Sequence, residues 1–171
     1  MPSNKIYHYF VEGECEEKLI NTYKTIPYQY FQSGKVEVYN FINKEFTSQR
    51  LLALSNKAII ILVYDIDIEN MKVFELNVKK LINAGFKVYH IQSIKNFEDE
   101  ILYSTKLKKI NDMFKTENYD EFKHMFINHN RIDVKLDKSH FNIDKIWSRL
   151  NNNEPFKKYS KQESIKLIRK K

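Results

Sequence analysis

Two groups of acidic residues directly follow apolar segments of the sequence. Their spacing within each group suits the binding of a divalent metal ion. Glu12 and Glu16 form the pattern Glu-Gly-x-x-Glu directly after one apolar segment. Asp65 and Asp67 form the pattern Asp-x-Asp directly after another. Carboxylates are costly to bury without a counter-charge, and a cation is the usual resolution. Because three or four carboxylates without a soft ligand favour a hard cation, the sequence predicts a site for Mg²⁺ or Mn²⁺.

Two predicted strands position these acids. The run Ala58–Tyr64 is unbroken, apolar and rich in Ile and Val, which is typical of a strand buried on both faces of a parallel sheet. The aromatic segment Lys5–Val11 predicts a first strand that ends just before Glu12. Ligand sites of parallel sheets lie past the carboxyl ends of the strands. If the two strands are neighbours, Glu12, Asp65 and Asp67 converge there, with both aspartates on one side of the strand end.

The remaining segments of the first hundred residues alternate between helix and strand patterns. We predict helices at Glu14–Tyr23, about 45–55 and Asn70–Ala84, and further strands at Gly34–Asn40, near an edge, and Phe86–Ile91. The order βαβαβαβ predicts an α/β fold of Rossmann-like type, with a parallel four-stranded sheet flanked by helices.

The pattern changes after residue 92, where short helical segments replace strands. We predict that residues 1–103 form the α/β core and residues 104–171 a helical extension with a basic tail. The extension is expected to contain helices at Leu107–Phe114, Asp120–His129 and Ile143–Leu150, and Ser160–Glu163 has a capping-box pattern. The length of 171 residues fits one domain with an appendage.

Positive charge is concentrated at the end of the chain. The net charge is +7, and the segment Lys157–Lys171 holds seven of the 29 basic residues but one of the 22 acidic residues. A basic end on a nearly neutral body suits a polyanion such as DNA or RNA, although a solvated charge run explains it equally well. The candidate phosphate contacts are Lys135, Lys138, Lys157, Lys158 and Arg169.

Composition excludes several classes of protein. Hydrophobic residues make up 42% of the chain, which is too many for a disordered protein. Cys15 is the one cysteine, so an internal disulfide and a cysteine zinc site are excluded, and a reducing cytoplasm is expected. The first residues do not look like a signal peptide, and the longest apolar run is far short of a membrane span.

Three segments together resemble a known family. They are the Glu-Gly-x-x-Glu motif from Glu12 to Glu16, the Asp65-x-Asp67 strand exit, and Ser93–Leu102, which resembles the serine-to-glutamate segment after the last core strand. The combination resembles the TOPRIM domain of topoisomerases, bacterial primases and several nucleases. It is most similar to the OLD (overcoming lysogenization defect) nucleases and the RloB-type defence proteins. The resemblance covers about residues 5–103.

The resemblance implies a role for each acid. Glu12 would be the catalytic carboxylate and Asp65 and Asp67 would hold the metal, all three serving catalysis, while Glu16 and Glu98 would support a second ion. Glu100 competes with Glu98 for the last role. The implied activity is a Mg²⁺- or Mn²⁺-dependent nuclease acting on DNA or RNA, in bacterial defence against phage. Many members of the family have a glycine three residues after the second aspartate, where this chain has Asn70, so the loop is expected to differ.

Several alternatives stay open. OLD-type nucleases work beside an ABC-type ATPase, and because this chain has no Gly-x-x-x-x-Gly-Lys-Ser/Thr loop, such an ATPase would be a separate partner. A homodimer is also possible. The rival class is a non-catalytic subunit that binds nucleic acid or a protein partner. A nucleotidyl-transferring TOPRIM enzyme is a third possibility.

Overall fold

A computed structural model of the chain describes residues 5–67, 70–160, 164–166 and 169. Its four strands are β1 (Ile6–Val11), β2 (Gly34–Val38), β3 (Ala58–Asp65) and β4 (Lys87–Ser93). They form one all-parallel sheet in the order β2-β1-β3-β4. The predicted α/β class and the edge position of β2 are therefore confirmed. The first seven residues of β3 are all buried, as its unbroken apolar sequence predicts.

Among the described residues, six α-helices with defined bounds flank the sheet, and residues 164–166 are also helical. The six are α1 (Glu14–Lys24), α2 (Ser48–Leu52), α3 (Lys72–Asn83), α4 (Phe97–Ser104), α5 (Tyr119–Asn128) and α6 (Ile132–Lys138), with short 3-10 helices at Ile110–Met113 and Phe156–Tyr159. None of the helices that the structure describes is long and apolar enough to cross a membrane.

The sheet separates two apolar cores. Odd-numbered side chains of β1 and β3, such as Tyr9 and Ile61, pack with α1, α4, α5 and α6 on the first face. Even-numbered side chains, such as Phe10 and Leu62, pack with α3 and the loop after β2 on the second face. Because strand side chains alternate in direction, one sheet supports both cores. Helices α5 and α6 lie after residue 104, so the predicted extension shares the first core with residues 5–103.

The chain after α6 does not form the helix predicted at Ile143–Leu150. Residues 143–147 form turns, and α6 lies just before them, where no helix was predicted. The carbonyl groups of Ile143, Asp144 and Ile146 accept hydrogen bonds from the Arg169 guanidinium instead of from helical N–H groups. The predicted helix Leu107–Phe114 is reduced to a 3-10 turn. Most of the capping-box pattern at Ser160–Glu163 lies outside the described residues.

A buried asparagine on α3 fixes the loop that covers the second face. The Asn77 side chain accepts a hydrogen bond from the Phe46 amide and donates to the carbonyls of Phe41 and Lys44, at 2.7, 2.7 and 2.8 Å. Asn77 is fully buried. One side chain therefore satisfies three backbone groups of this loop.

We expect the substitution Asn77→Ala to lower the free energy of unfolding by about 2–4 kcal/mol, because it leaves buried backbone groups without partners. The measurement is urea unfolding followed by circular dichroism. Asn83→Ala is the matched control, since Asn83 ends the same helix but is exposed, and its effect should stay within about 0.5 kcal/mol. Equal effects of the two substitutions would contradict this role of Asn77.

Candidate active site

The strand order creates a crevice at the carboxyl edge of the sheet. The connection from β1 to β2 runs through α1 on the first face, and the connection from β3 to β4 runs through α3 on the second. Between β1 and β3 the chain therefore leaves the sheet in opposite directions, which is where open α/β sheets bind ligands. Glu12 directly follows β1, and Asp65 is the last residue of β3.

Four of the five predicted metal ligands line one pocket at this crevice. Its volume is about 320 Å³, and its lining includes the side chains of Glu12, Glu16, Asp65 and Glu98. The Asp65 amide donates a hydrogen bond of 3.2 Å to Glu12 Oε2. Glu16 comes from the first turn of α1 and Glu98 from the first turn of α4. We call this pocket the acidic pocket.

Asp67 does not line the acidic pocket. It is exposed and lies two residues beyond the end of β3. Because the strand stops at Asp65, the alternation of strand side chains does not extend to Asp67. Its charge still acts on the site, since it contributes to the raised pKa values of Glu12 and Asp65.

Burial and mutual repulsion raise the pKa values of the clustered acids. Burial is the largest cause of the rise in the pKa of Asp65 to about 8, followed by the charges of Glu16 and Glu12, while a hydrogen bond with Ser93 opposes the shift. Burial likewise raises the pKa of Glu16 to about 7, with further increases from neighbouring carboxylates. The pKa of Glu12 is raised by burial although the Asp65 amide acts in the other direction. Without a bound metal ion, the carboxylate cluster retains protons near neutral pH.

Lys123 is the only cation that lines the acidic pocket among the residues described, and the sequence did not identify it. Its ammonium group lies 3.2 Å from Glu98 Oε1, with Glu98 buried and Lys123 half-exposed. Burial alone would lower the pKa of Lys123, but the attraction of Glu98 outweighs it and raises this pKa. The helical periodicity of α5 places Lys123 beside the buried Phe122, yet that pattern does not reveal which acids the helix faces.

The structure separates the roles of Glu98 and Glu100. Glu100 is fully buried and accepts hydrogen bonds from the amides of Ile94 and Trp147. It also binds the Arg149 guanidinium at 2.7 Å. Its carboxylate is therefore occupied in joining α4 to the turns after α6, whereas Glu98 lines the acidic pocket.

The donor set of the acidic pocket fits a hard divalent cation. Asp65 Oδ1 is buried and has no hydrogen-bond partner. A Cβ atom at Gly13 would lie 2.9 Å from Glu16 Oε2, so glycine leaves room for that carboxylate. Within the described ranges, however, no three His, Cys, Asp or Glu residues form a group that could hold a metal ion as they stand. The fit lies in the chemistry of the oxygen donors and not in a preformed coordination shell.

Two of the predicted phosphate contacts are engaged elsewhere in the protein. The Arg169 guanidinium donates to three backbone carbonyls, as described above. Lys158 forms an ion pair of 2.6 Å with Glu75 of α3. Both cations therefore contribute to intramolecular contacts.

The other three predicted contacts lie outside the acidic pocket. Lys135 is half-buried and its ammonium lies 5.3 Å from the centroid of the Phe114 ring. Lys138 and Lys157 are exposed.

Comparisons of the chain with protein-family models, with curated proteins and with solved structures give no match. What the acidic pocket does is therefore inferred from its own residues and geometry.

The raised pKa values predict how the stability of the metal-free protein depends on pH. A carboxyl group whose pKa is raised on folding binds more protons in the folded state, so stability falls as pH rises from about 4 toward the folded pKa. We expect Asp65→Asn, which removes one such group, to reduce this fall. At pH 8 in EDTA the variant should be more stable than the native chain by about 1–3 kcal/mol.

The measurement is urea unfolding at intervals from pH 5 to pH 8. Asp120→Asn is the control, because Asp120 is exposed in the first turn of α5. Its curve should run parallel to that of the native chain. If the curve for Asp65→Asn also ran parallel to that of the native chain, the surroundings would not disfavour the ionised form of Asp65, and this prediction would be wrong.

Proposed function

We propose that this chain is a metal-dependent nuclease with a TOPRIM-type core that cleaves phosphodiester bonds of DNA or RNA. The observation that supports this is the group of carboxylates at the crevice between β1 and β3, with the unpartnered oxygen Asp65 Oδ1 among them. Such a group is costly to maintain in a folded protein unless a cation binds to it. The resemblance of three sequence motifs to TOPRIM nucleases supports the same conclusion.

In this proposal Glu12, Glu16 and Asp65 hold Mg²⁺ or Mn²⁺, with Asp67 at the rim and Glu98 beside them. The bound ion supplies neutralisation of phosphate charge and activation of a water molecule. Glu12 has a raised pKa and its Oε2 accepts from the Asp65 amide, so this carboxylate is positioned to hold or move a proton. Lys123 neutralises Glu98, which leaves the remaining carboxylates available to the ion.

We also propose a cellular setting from the resemblance. The protein would act in the cytoplasm in defence against phage or mobile elements, beside a separate ABC-type ATPase. A homodimer is part of this proposal.

A second candidate is a non-catalytic subunit that binds nucleic acid or a protein partner. The observation that favours it is the lack of a ready-made group of three ligands among the described residues. In that case the acids would be neutralised by protons and Lys123, and the pocket would have a structural role.

If the chain is such a nuclease, cleavage should depend on both the metal ion and the carboxylates. With Mg²⁺ or Mn²⁺ we expect the native chain to cut plasmid, single-stranded DNA, tRNA or ribosomal RNA. Asp65→Asn and Glu12→Gln should each slow cleavage by about 100-fold or more, because several kcal/mol of stabilisation are lost with a ligand. Gel electrophoresis of the products is the measurement.

Asp120→Asn again serves as the control and should cut at the native rate. If the native chain cuts nothing but retains nucleic acid in a salt-sensitive way, the nuclease proposal fails or a partner is missing. Repeating the assay with candidate ATPases from the neighbouring genes separates these two outcomes.

Metal binding itself can be measured without cleavage. At 100 times the dissociation constant a ligand stabilises the folded state by about 2.7 kcal/mol, which in a chain of this size corresponds to a rise of about 5–10 °C in the unfolding temperature. We expect this rise with Mn²⁺ for the native chain and little of it for Asp65→Asn. Gly13→Ala should also weaken the effect, because the added methyl displaces Glu16. No shift in the native chain would contradict the metal site.

A further inference from the structure

A second pocket adjoins the acidic pocket and is larger, with a volume of about 540 Å³. The loop between β4 and α4, the 3-10 helix after α4 and the start of α5 form its walls. Lys95, Lys108, Lys109 and Tyr119 are among its lining residues, and we call it the lysine groove. A volume of this size is typical of ligand pockets.

The two pockets meet at one side chain. Glu98 lines both the lysine groove and the acidic pocket. A ligand in the groove would therefore lie next to the carboxylates at the ends of β1 and β3.

The groove carries an excess of available positive charge. Lys95, Lys108 and Lys109 are exposed, and none of them forms an ion pair with any residue that the structure describes. Two of the acids in the groove already have cationic partners. Glu98 pairs with Lys123, and Asp99 pairs at 2.8 Å with the Arg149 guanidinium, which also binds Glu100. A third acid lining the groove, Glu117, is exposed. Among the residues that the structure describes, the groove therefore has three unpaired lysines and one unpaired acid, which favours a ligand that carries several negative charges.

An exposed aromatic ring completes the groove. Tyr119 is 58% exposed at the start of α5, directly after the capping residue Asn118. An exposed ring beside lysines is the combination with which proteins bind single-stranded nucleic acid, where bases stack on aromatic faces and cations contact the backbone. A duplex would hide the base faces that such a ring needs.

We propose that the lysine groove binds a single-stranded segment of nucleic acid next to the phosphate that is cut. Backbone phosphates contact Lys95, Lys108 and Lys109, and one base stacks on Tyr119. The position of the cut rests on the proposed nuclease function, but the binding itself does not require cleavage.

The first test compares two double variants of equal charge. Fluorescence anisotropy with labelled single-stranded DNA and RNA oligonucleotides in EDTA measures affinity without cutting. We expect Lys108→Gln combined with Lys109→Gln to weaken binding by about tenfold or more at 100 mM salt. The slope of log affinity against log salt should fall by about 1.4, because each lost phosphate contact on a single strand contributes about 0.7.

The control is Lys79→Gln combined with Lys87→Gln. Both lysines are exposed, Lys79 on α3 at the second face and Lys87 at the amino end of β4, away from the groove. This pair should change affinity by less than about twofold. Because both variants lose the same charge, equal losses of affinity would mean that net charge and not the groove controls binding, and would overturn the proposal.

The second test concerns the aromatic ring. Tyr119→Ala should weaken single-strand binding by about fivefold or more, the lower end of what a stacked base contributes, while Tyr119→Phe should bind as the native chain does. Affinity for a duplex of the same sequence should be unchanged by either substitution. A native chain that binds no oligonucleotide, or a Tyr119→Ala variant that binds normally, would overturn the proposal.

These experiments distinguish a failure of the groove proposal from a failure of the nuclease proposal. If the groove variants lose binding and the native chain does not cut, the groove stands and the binding-subunit function is favoured. If the native chain cuts and the groove variants bind and cut normally, the nuclease stands and the groove proposal is wrong.

Discussion

The burial of the carboxylates of Glu12, Glu16 and Asp65, together with their mutual repulsion, is the constraint that the rest of the molecule must overcome. These acids meet because β1 and β3 are hydrogen-bonded neighbours and α1 begins two residues after Glu12. Their raised pKa values show that the ionised forms are disfavoured in the folded state. The two apolar cores on either face of the sheet hold the strand ends in place. The packing of these cores therefore stabilises the fold against the unfavourable electrostatics of the clustered carboxylates.

The segment after residue 104 takes part in this arrangement and is more than an appendage. Phe122 and Phe126 of α5 are fully buried in the first core, where Phe126 packs on Phe97 of α4. That contact fixes α5 so that Lys123 reaches Glu98. The start of the same helix supplies Tyr119 to the lysine groove. Helix α5 thus packs in the first core, places Lys123 at the acidic pocket and supplies Tyr119 to the lysine groove.

The sequence was sufficient to predict the parallel sheet and the meeting of Glu12 with Asp65, because a wholly apolar strand and the βαβ order allow few other arrangements. It could not choose between Glu98 and Glu100, since that choice depends on Arg149, which is about fifty residues away and binds Glu100. Lys123 was missed for the same reason, because its partner comes from another helix. Long-range contacts of this kind leave no trace in local periodicity.

Charge balance connects the acidic pocket to the groove beside it. Lys123 neutralises Glu98, so the pocket retains the carboxylates of Glu12, Glu16 and Asp65 and, at its exposed side, Glu14. When these acids are ionised, one divalent ion does not cancel all of their charge, and a phosphodiester adds one more negative charge. In the proposed complex, attraction for the rest of the nucleic acid strand would then come from outside the pocket. The lysines of the groove share Glu98 as a neighbouring wall with the acidic pocket, so in the proposed complex they would contact the adjoining phosphates while the carboxylates would hold the ion.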